Sequence, residues 1–456
     1  DSGFSLFYMA INVGSLFAPT TAVGIKNYAM TEWGFSSNDA YHFAFAVACV
    51  ALVLSILIYY LFRSTFRHVE GGKKKGETVV VEDNLTPEQT KQRIVALCLV
   101  FAVVIFFWMA FHQNGLTLTY FADEFTQTTA VGLNTMLFDV WNLALIIIAV
   151  YATFSIFQSE GAKGKLLSGI LASGVLALLV YRAMGVEATA EVSVAAPIFQ
   201  QFNPFYVVAL TPVSMAIFGA LARKGKEPSA PRKIAYGMLV AAIGFMIMAV
   251  GSNGLNTPNE QQRAIAVDKA EAFAKEYYTV AATAEDFETL KGDAEVAATI
   301  KPATDFMGKL NKNTRPVFFD VYNASVTVLK ANEAEDNTAV AEAEATLAAI
   351  KADTKPETRT SPYWLIFTYL ILTFAELLLS PMGISFVSKV APPKLKGLMM
   401  GGWFVATAIG NMLVAVGGFL WAGLPLWSVW TVFIVLCLLS ALFMFIMMKR
   451  LEAVTK

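Results

Sequence analysis

Charge is what this 456-residue chain has least of: 15% of its residues are charged, against about 25% in an ordinary soluble domain. Apolar residues make up 56% and aromatic ones 13%. That composition excludes a disordered chain, a coiled coil and a collagen. An excess of basic charge is also missing, with 34 Lys+Arg against 35 Asp+Glu for a net of −1. No positive field is available to attract phosphates, so nucleic acid is excluded as a partner. Cysteine is scarce. Cys49, Cys98 and Cys437 lie inside apolar runs with no CxxC or Cys/His spacing, and read as small buried hydrophobes. His42, His68 and His112 are scattered, so neither a metal nor a cofactor is expected. No cleavable signal pattern is visible, and the first residue is Asp1, running at once into apolar sequence. That start is expected of a cleaved product or of the remainder of a longer chain.

What the chain does have is long apolar runs. A membrane helix needs about 20 mostly apolar residues, and ten such spans are expected near 4–22, 41–63, 94–121, 132–157, 166–184, 204–222, 233–251, 363–388, 397–421 and 426–448. The first is dotted with Asn12 and the Gly14-Ser15 pair. The expected fold class is therefore an all-α polytopic membrane protein.

Residues 252–360 are of another character, holding 18 of the 35 acidic and 12 of the 34 basic residues. Their Ala/Glu/Lys-rich stretches carry apolar residues at helical spacing, which predicts a soluble helical hairpin or small bundle. Asn323-Ala-Ser325 fits a glycosylation sequon, a triplet that also arises by chance. Outside the insert the cations are sorted. Twenty of the 22 cluster at alternate span ends, from Arg63 to Arg93, at Lys163 and Lys165, and in 223–233, 389–396 and 449–456. Only Lys26 and Arg182 fall on the other side. By the positive-inside rule the C-terminus is cytoplasmic and the insert extracytoplasmic.

Ionised groups at bilayer depth are costly and mark function or a partner. Glu376 lies near the middle of its span, as a site for a cationic group or a proton. Asp139 is expected about a third of the way into its span, with a structural role favoured. His112, in Trp108-Met-Ala-Phe-His-Gln-Asn-Gly115, marks a polar patch in an aromatic helix and is a candidate for substrate or proton contact. Helix-breaking marks at Asn203-Pro204, Thr211-Pro212, Ser380-Pro381 with Gly383, and Gly401-Gly402 suggest moving parts around a polar cavity.

Several of these segments resemble the proton-dependent oligopeptide transporter (POT/PTR) family of the major facilitator superfamily. Gly3 to Ser15 looks like its fifth helix. Phe374-Ala-Glu-Leu-Leu-Leu-Ser-Pro-Met-Gly383, Ala391-Pro392, and Met399-Met-Gly-Gly-Trp-Phe404 through Gly410-Asn411 resemble its tenth and eleventh. Phe107-Trp108 with Gln113 fits the seventh, and Phe202-Asn203-Pro204 the eighth. The tenth-to-eleventh run is the specific one. The resemblance implies a twelve-helix fold in two halves that imports di- and tripeptides with protons, and no enzyme activity. On that mapping helices one to four, with their E-x-x-E-R motif, precede residue 1. The chain then divides into 1–63 (helices five and six), a cytoplasmic linker 64–93, helices seven to nine over 94–251 with two extra helices at 132–184, the insert 252–360, and helices ten to twelve over 361–456.

Carried over by position, the resemblance makes Glu376 the carboxylate that meets the peptide's amino terminus. It also makes Tyr8, Asn12, Trp108, His112, Gln113, Asn203, Ser380 and Trp403 substrate contacts. Proton coupling falls to Glu376 and His112, and a gate to Trp403 and Phe404. Three features depart from the family pattern: His112 stands where an acidic residue is common, the extra spans follow helix seven, and the outer insert is large. A peptide is a zwitterion, and the core here offers no cation for its carboxylate apart from His112. That partner is expected on the preceding helices. The expected setting is a bacterial inner membrane, with peptides, protons and lipid as partners. A same-fold transporter of nitrate or an amino acid, or a scaffold acting through the insert, is the alternative.

Overall fold

The computed structural model describes residues 2–66, 85–292 and 294–454, without the side chains of residues 2–8, 38, 66, 294 and 295. Most of the expected linker 64–93 lies outside the described residues. Helices α1 (Ser2–Thr31) and α2 (Ser37–Leu61) form an antiparallel pair. α3 (Pro87–Phe111) starts at a capping box, where Thr86 and Gln89 bond each other's backbone N–H and Pro87 fills the first turn. A 3-10 turn, His112–Gly115, separates α3 from the short α4 (Thr117–Glu124). Strand β1 (Thr129–Val131) leads to the hairpin α5 (Val140–Gln158) and α6 (Ala162–Met184), and strand β2 (Glu191–Ser193) then pairs back antiparallel, Ala130 opposite Val192. α7 (Phe202–Arg223) and α8 (Ala230–Gly251) follow. The insert carries α9 (Pro258–Tyr277), α10 (Ala294–Met307), α11 (Thr314–Glu333) and α12 (Asn337–Lys351). α13 (Tyr363–Val390), α14 (Lys396–Leu413), α15 (Ala415–Gly423) and α16 (Leu426–Ala453) complete the chain.

Among the described residues nine helical runs are long and apolar enough to cross a membrane, and α1 adds a further helix of 30 residues. The bundle is built around α8, against which α13 and α16 both pack; α14 and α16 flank α3, and α1 lies along α7. A glycine stripe explains the closest of these contacts. Gly237, Gly244 and Gly251 recur every seven residues on α8, where a side chain would run into Ala375, Leu372 and Trp364 of α13. Small residues let two membrane helices approach until their backbones nearly touch. The bundle core and the insert core are separate; Phe273, Phe287, Phe318 and Tyr322 fill the second.

Four local expectations change. The span expected as continuous over 94–121 breaks at His112–Gly115, and the one over 397–421 breaks at Val414. Asn203-Pro204 is not a helix break but the first turn of α7, where proline displaces no helical hydrogen bond. Asp139 does not lie inside its span: residues 132–138 form a 3-10 segment and Asp139 caps α5, accepting from Trp141 N at 2.8 Å. There it pairs with Arg182 of α6 at 2.5 Å. The two short strands, absent from the sequence reading, tie the ends of this hairpin together.

Candidate functional site

α13 is almost wholly apolar, yet Tyr369, Thr373, Glu376 and Ser380 are all buried in it. Their steps of four, three and four keep them on one line of a 3.6-residue helix. Asn203, at the start of α7, closes on that line. Its amide donates to Glu376 Oε2 at 2.8 Å and to Thr373 Oγ1 at 3.1 Å. Thr373 turns its own hydrogen back to Tyr369 O at 2.7 Å, which leaves its oxygen to accept. The Tyr369 hydroxyl donates to Asn114 O at 3.1 Å, in the break between α3 and α4. A polar line thus runs from α7 over α13 to the break between α3 and α4, with a carboxyl group 5% exposed at its centre. Among the described residues of the bundle, two further polar side-chain atoms are buried without a hydrogen-bond partner, Ser380 Oγ on the same stripe and Trp108 Nε1 on α3. Buried polar groups are nearly always satisfied, which sets these two apart from the rest of the bundle.

The remaining candidates are distributed unevenly. His112 stacks on Trp108, with ring centroids 5.0 Å apart and planes at 19°. Gln113 is fully buried and its amide is committed: Nε2 donates to Met109 O (3.0 Å) and Val414 O (3.1 Å), and Oε1 accepts from Thr117. It joins the break after α3 to the break after α14, and only glycine fits at 417 beside it. Trp403 is 2% exposed and brings the outer edge of its indole against Gly383 of α13, whereas Phe404, the next residue, is 61% exposed. Asn12 is buried on α1, which packs along α7 and touches α13. Tyr8 is on α1, but its side chain lies outside the described residues. Sequence reasoning missed Thr373 and Tyr369. The signal was present: polar residues three and seven positions before Glu376 in an apolar helix.

The POT family model matches residues 1–85, 171–287 and 335–418, well over half of the chain. Dipeptide and tripeptide permease B of Xenorhabdus bovienii (strain SS-2004) is 24% identical over 279 residues, 57% of this chain and 49% of the permease. The peptide transporter YePEPT of Yersinia enterocolitica is 21% identical over 433 residues, 92% of this chain and 61% of that protein. The chain thus spans about half the length of the permease and three fifths of the transporter. A crystal structure of a mutant peptide transporter POT in complex with alafosfalin is similar at a TM-score of 0.50 and 15% identity, over all of this chain and 68% of that one. That likeness is one of fold, a major-facilitator-type helical bundle.

Proposed function

This chain belongs to the POT family, and we propose that the whole protein is a proton-coupled secondary transporter, not an enzyme, that imports di- and tripeptides by alternating access. The observation that carries this reading is the Glu376 carboxyl, buried in the bundle and held by Asn203. A peptide ammonium needs an anionic acceptor, and a carboxyl group at bilayer depth is costly unless charge or a proton reaches it. Glu376 is placed to receive either. Thr373 and Asn203 orient it; Ser380 and Trp108 offer hydrogen-bond capacity to a peptide backbone. Asn12 faces the substrate from α1, and the family resemblance makes Tyr8 a further substrate contact. His112 acts on the proton, Gln113 positions the broken helices, and Trp403 and Phe404 gate. Names of relatives support the substrate class, since they are a dipeptide and tripeptide permease and a peptide transporter.

In this reading α1 and α2 belong to one six-helix half, and α3, α4, α7, α8 and α13–α16 form the other, with α5 and α6 as additions. The cation sorting supports a multi-pass protein of a bacterial inner membrane with a cytoplasmic C-terminus, an extracytoplasmic insert and a lipid annulus around the exposed apolar faces. The test is proton-driven uptake of a labelled dipeptide by the full-length protein in liposomes. Unlabelled di- and tripeptides are expected to compete; competition by nitrate or free amino acids instead would overturn the peptide assignment.

A further inference from the structure

The insert joins α8 to α13, so both its ends are rooted in the second half of the chain. Those roots are dense. Gln261 Nε2 donates to Glu124 O at 2.7 Å and Thr358 O at 2.9 Å, and its Oε1 accepts from Asn256 and from Thr358 N. Arg359 donates to Thr126 O at 2.7 Å, Thr126 and Thr360 pair as a β-bridge, and Asn259 reaches Ala422 O at 3.0 Å.

At the other end of the insert, α10 meets the turn between α1 and α2. Lys301 Nζ donates to Gly34 O at 2.7 Å and also to Phe35 O. One helical turn on, Asp305 Oδ2 accepts from Ser37 N at 3.0 Å. The signs match what each group faces. The ammonium sits on the carbonyls of a turn that Gly34 makes at φ +70°. The carboxylate sits at the first N–H groups of α2, where unpaired donors and the helix dipole favour an anion.

We propose that α10 is a releasable latch, joining the insert to the α1–α2 turn through Lys301 and Asp305 and holding the two halves together on the insert side of the membrane. This rests on the reading that the halves rock against each other. Unequal anchoring sets where the joint opens: the many bonds at Gln261, Arg359 and Thr360 keep the insert on the second half, and the bonds of Lys301 and Asp305 to the α1–α2 turn break. Closed, they weight the resting protein toward the state shut on that side.

The experiment is a pulsed electron spin distance measurement on the full-length protein in nanodiscs, with native cysteines replaced and spin labels at Asn27→Cys and Lys309→Cys. The unaltered latch is expected to give one dominant short distance. Lys301→Glu with Asp305→Lys should raise the ratio of long to short distances about tenfold, the scale of losing a hydrogen bond to a charged group. Lys301→Arg with Asp305→Glu should keep the short distance, which separates latch opening from misfolding. Identical distributions in all three proteins, or no short distance in the first, would overturn the latch. No substrate is present, so the result stands apart from whether the solute is a peptide.

Discussion

Glu376 and Asn203 are 173 positions apart in the chain and 2.8 Å apart in space. Removing the amide leaves a buried carboxyl with one donor fewer, a loss of about 1–3 kcal/mol. Asn203→Ala is therefore expected to weaken peptide binding roughly tenfold or more, read by isothermal titration on the full-length protein. Asn203→Asp should do worse, because two carboxyl groups would then face each other. For His112, stacked on Trp108, the expectation is a shifted pH optimum of uptake in His112→Gln; an unchanged profile would count against its role on the proton. Glu376 was legible in the sequence because a lone carboxyl in an apolar span has few explanations. Its pairing with Asn203 was not, since an asparagine beside a proline reads equally well as a helix break, and only the packing of α7 on α13 tells the two apart. Gln113 carries a second duty the sequence did not show, since its amide hydrogens bond the carbonyls of Met109 and Val414 and join two helix interruptions.

At the scale of elements, helices were legible and their interruptions were not. Apolar run length fixes where α7, α8, α13 and α16 lie. The breaks at His112–Gly115 and Val414 are joined by a bond from Gln113 to Val414 O, which no single segment encodes. The α8 stripe carries a direct test. Gly244→Leu would drive a side chain into Leu372, and overpacking of this kind costs about 1–3 kcal/mol. A lowered thermal midpoint is expected, whereas Gly174→Leu on α6, with open space around it, should leave the midpoint unchanged. The insert is sensitive to acid at the start of α9. There the Lys355 ammonium and the Thr257 backbone N–H hold the Glu260 carboxyl below its ordinary value. A carboxyl with a depressed folded pKa stabilises above its unfolded value and loses that contribution as pH falls through the folded one. Hydrogen exchange at residues 258–262 should therefore quicken at acidic pH relative to neutral pH, after correction for intrinsic rates, and Glu260→Gln should remove much of the difference.

For the molecule as a whole, two chemistries share one chain: an apolar bundle crossed by a polar line, and a charged helical insert with its own aromatic core. The sequence shows that division by composition alone, and its sorted lysines and arginines support the proposed orientation. It could not show that the insert touches the α1–α2 turn, because Lys301 and Asp305 look like any other pair on a solvated helix face. Coupling of proton and peptide at Glu376 is read by uptake of a labelled dipeptide into liposomes bearing full-length protein, with and without Glu376→Gln. The unaltered protein is expected to concentrate the dipeptide when an inward proton gradient is imposed, and Glu376→Gln to lose that gradient-driven component by at least about a hundredfold, as for a charge contact worth about 3 kcal/mol. Full gradient-driven uptake by Glu376→Gln would contradict the account.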